Sequence, residues 1–113
     1  MNEIQANTIK ILQNIDISLK QVLNLEKDVK KERNIKKIKV DQDVIEKLLL
    51  KITKQVINNK LVLPVKPINL EKWLFLEAEK IKTGAYRNVD EQIENILLIR
   101  EKILETIERL NKM

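Results

Sequence analysis

The sequence predicts an all-α protein: a four-helix bundle-like domain with long first and last helices and a Pro-containing extended connector. Three observations predict it. One Gly, two Pro and three aromatic residues among 113, beside abundant Leu, Ile, Lys and Glu, describe long helices joined by few sharp turns. Apolar residues make up 43% of the chain and charged residues 35%, whereas disordered chains combine high net charge with few aliphatics. Apolar positions also recur at helical spacing over most of the length. A chain of this size fits a single helical domain, residues 1–113, burying roughly two-thirds of its unfolded surface.

The first helix is expected over residues 3–32. Ile4, Thr8, Ile11, Ile15, Ser18, Val22, Leu25 and Val29 alternate steps of four and three, with Leu12 and Leu19 widening the stripe and Gln13, Lys20 and Lys27 opposite. The stretch from Ile35 to Val40 reads equally as a helical turn or a short extended piece. Asp41 or Asp43 is expected to cap a second helix over 42–59, since Asp43 stands three residues before Glu46 as in a capping box. Its core face would be Val44, Ile45, Leu48, Leu49, Ile52 and Val56. Residues 60–68 form the extended connector, because Pro64 and Pro67 remove donors and push their predecessors out of the helical region. Asn69 is expected to cap a third helix over 69–82, and Gly84 sits where a left-handed terminus belongs. A fourth helix over 88–112 opens at Asn88, with Asp90 and Glu91 in its first turn and a seam of Val89, Ile93, Ile96, Arg100, Ile103, Ile107 and Leu110. Glu105 with Arg109 and Glu108 with Lys112 are the expected ion pairs on its outer faces.

Charge is distributed unevenly. Lys27, Lys30, Lys31, Arg33, Lys36, Lys37 and Lys39 face only Asp28 and Glu32 within thirteen residues, and the rest of the chain holds fifteen bases and fifteen acids. The whole excess of +5 therefore lies in one segment of a neutral body, and a local patch implies a local anionic partner. Clustered cations bind phosphates by releasing counterions. Six of the seven are Lys and no aromatic lies among them to stack bases, so contact would be with the nucleic-acid backbone at low sequence specificity.

Several function classes are disfavoured. There is no His, no Cys and a single Ser, Ser18, placed on the first seam, so the usual nucleophiles and acid-base groups are missing. One Gly cannot build a phosphate-cradling loop. Glu94, Glu101, Glu105 and Glu108 fall along one side of the last helix, but interleaved bases make this a solvated face, and no metal or other cofactor and no small-molecule substrate is expected. No window approaches the apolar length of a membrane span, and Met1-Asn2-Glu3-Ile4-Gln5 opens no signal sequence, so a cytoplasmic protein without membrane contact is expected.

Three apolar runs, 48–50, 73–76 and 96–99, exceed what a helix buried on one side requires. They point to self-association or a place in a larger complex, with Trp73, Phe75, Leu98 and Ile99 as the protein interface. Arg100 interrupts the last seam with no acid at three or four residues on either side, so it either snorkels or pairs with an acid of another helix or subunit. Residues 61–100 read as an extended piece, a helix, a Gly84-Ala85-Tyr86-Arg87-Asn88-Val89-Asp90-Glu91 turn and another helix. That order resembles the ribbon-helix-helix DNA-binding proteins, which pair one strand per subunit and set it in the major groove. The resemblance implies a DNA-binding regulator, although Leu61, Val62, Leu63 and Val65 are apolar on both faces where the family's strand alternates. The functional expectation is a non-catalytic binding protein, a small accessory or regulatory subunit touching nucleic-acid phosphates through Lys27–Lys39. Its rival is a helical adaptor acting through the apolar interface.

Overall fold

The computed structural model describes residues 3–58 and 89–112, in which the chain forms three helices and no strand. α1 spans Glu3–Lys31, α2 spans Ile35–Asn58 and α3 spans Val89–Lys112. The expected helix over 69–82, the connector over 60–68 and most of the ribbon-helix-helix-like segment lie outside the described residues.

α1 runs for 29 residues without Gly or Pro. Its buried positions Leu12, Ile15, Leu19, Val22, Glu26 and Val29 alternate steps of three and four, and Ile9, Ser18 and Leu23 widen the stripe. This stripe is rotated from the one the periodicity predicts. Ile4 is 78% exposed, and Ile11 and Leu25 are half-buried. The cause is packing on two sides: α1 lies against both α2 and α3, which make little contact with each other among the described residues. At 100° per residue, its buried positions cover about half of its circumference.

The inner residues of the other two helices follow their own periods. Ile45, Leu49, Ile52, Thr53 and Val56 are buried on α2, and Gln92, Ile96, Ile99, Ile103, Thr106, Ile107 and Leu110 on α3. Val44, expected on the core face, is instead exposed. Thr53 and Thr106 satisfy their hydroxyls by donating to the carbonyls of Leu49 and Lys102 one turn earlier, each at 2.8 Å, which lets them sit among apolar neighbours. Within the apolar runs, Leu50, Leu97 and Leu98 point outward, so the described helices do not cover them.

Two ion pairs show how α3 lies on α1. Lys30 meets Asp90, and Arg100 Nε donates to Asp16 Oδ1 at 2.8 Å while Nη2 donates to Oδ2 at 3.3 Å. Residue numbers fall along α1 as they rise along α3, so the two are antiparallel. Arg100 has therefore found an acid on another helix, in a two-pronged arrangement that is half-buried. On the outer face of α3, Lys112 pairs with Glu108 at 3.0 Å as expected, whereas Glu105 meets Lys102 at 3.6 Å rather than Arg109.

Removing one member of the half-buried pair strands the other. Asp16→Ala is expected to cost about 1–3 kcal/mol in urea denaturation, and Asp16→Ala combined with Arg100→Met to recover most of that loss, because an unpartnered charge is worse than an apolar pair. Additive losses in the double variant would show that the two side chains do not act together.

Candidate functional site

α1 and α2 form an antiparallel hairpin whose turn, Glu32-Arg33-Asn34, contains no glycine. Two of its three backbone donors are satisfied by a side chain and one by a carbonyl of α1. The Glu32 amide closes α1 by donating to the Asp28 carbonyl at 2.9 Å, and the Glu32 carboxylate accepts the amides of Arg33 and Asn34 at 3.1 Å each. Asn34 Oδ1 then accepts the Lys36 amide at 3.0 Å while its carbonyl accepts from Ile38 at 3.0 Å, which makes Asn34 the N-cap of α2.

α2 thus begins seven residues earlier than the Asp43–Glu46 signal predicts. Asn34 is as good a cap as aspartate, and Ile35 to Val40 join the helix. Asp41 and Asp43, the expected caps, sit on the body of α2.

The early start changes where the cations stand. Lys27, Lys30 and Lys31 occupy the last turns of α1, Arg33 the turn, and Lys36, Lys37 and Lys39 the opening turns of α2. All seven are exposed, and their backbone positions fall within about 8 Å of the turn along the helix axes. Only Lys30 is held in an ion pair, with Asp90; Lys27, Lys31, Arg33, Lys36 and Lys39 make none among the described residues. They are spread around the end of the hairpin rather than aligned on one face, so they form a cationic cap at that end of the hairpin. The antiparallel packing of α3 brings its first-turn acids, Asp90 and Glu91, to the same end.

Electrostatics sharpen this end. The N-terminus of a helix is the positive end of its dipole, yet the first turn of α2 has no acid and carries lysines instead. Glu32 is the compensating anion. The hydrogen bond from the Asn34 amide, aided by the Lys37 charge and the Arg33 amide, holds its carboxyl below the ordinary value of 4.5. Neither Glu32 nor Asn34 stood out in the sequence, although an acid two residues before an Asn at a helix opening is the legible part of this turn.

The expected protein interface is divided. Trp73 and Phe75 lie outside the described residues, Leu98 is exposed at 45%, and Ile99 belongs to the core at 3% exposure. Ile99 therefore packs inside the chain and is not offered to a partner. Among the described residues no three His, Cys, Asp or Glu side chains come together as a metal site, and no helix is long and apolar enough to cross a membrane. Comparison with family models, curated proteins and solved structures gives no match.

Because the folded pKa of Glu32 lies below its unfolded value, its contribution to the turn is full above about pH 4.5 and is lost as pH falls through the lowered value. The amide resonances of Arg33 and Asn34 are expected to titrate with a midpoint below 4.5, and Glu32→Gln to abolish that titration. Asn34→Ala is expected to lower stability by about 1 kcal/mol in urea melts.

Proposed function

We propose that the protein is a non-catalytic, nucleic-acid-binding accessory or regulatory subunit that grips phosphates through Lys27, Lys30, Lys31, Arg33, Lys36, Lys37 and Lys39. The observation that carries this reading is their joint position at one end of the α1–α2 hairpin, exposed and, apart from Lys30, outside any described ion pair. A cationic helix N-terminus without an acid of its own adds positive potential there. Polyphosphate chains are the cellular anions best matched to many unpaired amines, since each contact releases counterions. The mixture of six Lys with one Arg suits backbone contact more than base reading. A cytoplasmic location goes with this reading, because intracellular nucleic acid is the partner proposed.

A four-helix arrangement belongs to the same proposal. α2 ends at the far end of the hairpin and α3 begins at the basic end, about 36 Å of helix away, and the helix and extended connector expected over 60–82 are proposed to join them. An adaptor role, with self-association, is the second reading, favoured by Leu97 and Leu104. These lie seven residues apart on one flank of α3 and are 48% and 50% exposed.

Replacing Lys30, Lys31, Lys36 and Lys37 together by Gln separates the two readings. Binding to mixed-sequence duplex at about 50 mM salt, followed by fluorescence anisotropy, is expected to disappear while helical content is kept, since exposed charges are least screened there. Undiminished binding by that variant would remove the basic end from the function.

A further inference from the structure

We infer that the phosphate-binding surface extends from the basic end along the whole outer face of α2, where Lys47, Lys51 and Lys54 form a second set of contacts to the backbone of a nucleic-acid duplex. This deepens the reading above and rests on it. In the linear sequence the part of α2 beyond Lys39 is neutral, with Lys47, Lys51 and Lys54 against Asp41, Asp43 and Glu46, but the helix separates these charges around its axis. Together with Lys36, Lys37 and Lys39 of the basic end, α2 carries six lysines against three acids, whereas α3 carries six acids against four bases. With Ile45, Ile52 and Val56 buried against α1, the 100° advance per residue sets Lys36, Lys47, Lys51 and Lys54 on the side facing away from the core. All four are exposed and none is in an ion pair among the described residues; Asp43 is the one acid on that side of α2.

The face has the form of a ledge as well as the charge. Lys47, Lys51 and Lys54 line a shallow depression of about 440 Å³ with Leu50, Gln55 and Asn58. From Lys36 to Lys54 the lysines span about 27 Å of helix, which at 3.4 Å per step of one strand matches about eight base pairs. A duplex is the occupant because the strip offers amines for phosphates and no aromatic ring on which an unpaired base would stack. The opposite sign on the outer face of α3, through Glu94, Glu101 and Glu105, makes the α2 side the preferred one of these two helices.

The test uses the full chain, anisotropy at about 50 mM salt, and mixed-sequence duplexes of 6 and 16 base pairs. Lys47→Gln, Lys51→Gln and Lys54→Gln combined are expected to weaken binding of the longer duplex at least tenfold and to lower the slope of log K against log salt by about 3, with melting temperature unchanged. The shorter duplex is expected to bind wild type at least tenfold more weakly than the longer one. Wild-type affinity in this triple variant, with binding lost only when the lysines of the basic end are replaced, would overturn the inference and leave the proposed function standing. Absence of binding by wild type would remove both. Equal affinity for polyglutamate at the same salt would also overturn the inference, because it would show charge contact without a duplex.

Discussion

The constraint on which this structure depends is that α1 has two buried sides. A helix packed on one neighbour needs a single stripe, but Leu12, Leu19 and Leu23 on one flank and Ile15, Val22 and Val29 on the other are all withdrawn from water, so α2 and α3 can each be held without relying on the other. The half-buried Asp16–Arg100 pair adds direction and register, since a displaced α3 would leave both charges desolvated without partners. One consequence governs the rest. With both neighbours antiparallel to α1, the N-termini of α2 and α3 emerge at the same end, beside the last lysines of α1.

That end is built against local preference. Lysines in the first turn of a helix oppose its dipole, and α3 shows the ordinary solution with Asp90 and Glu91 in that place. α2 instead leaves Lys36 and Lys37 at its positive end and relies on the Glu32 carboxylate and the Asn34 amide oxygen to satisfy the exposed backbone donors. A turn that leaves all its cations but Lys30 outside ion pairs, and whose one carboxylate is taken up by its own amides, has potential to spare for an external anion. Sites where local rules are broken and compensated nearby are where function is expected.

Much of the helical framework was legible in the sequence. α1 and α3 lie within a residue of their expected limits because their periods are long and their ends carry the usual acids and bases. The start of α2 was not legible, because a capping box at Asp43 and an Asn N-cap at Asn34 are both sound signals and local chemistry alone does not rank them. Packing of the partly buried Ile38 against the core favours the earlier one. The rotation of the α1 stripe was hidden for a related reason: periodicity reports one face, and a helix with two neighbours has its buried centre between two faces. The cluster at Lys27–Lys39 was visible as composition. The lysines of the outer α2 face were not, since Asp41, Asp43 and Glu46 cancel them in the linear count and only the helix separates them around its axis.

The claim at the centre is that the unpaired amines of this molecule engage phosphate. The salt dependence of wild-type binding to random-sequence duplex measures that most directly. Contact by the basic end alone predicts a slope of log K against log salt of about −5 or steeper, at about 0.9 per phosphate neutralised. A slope near zero, or no binding at about 50 mM salt where attraction between exposed charges is strong, would contradict it.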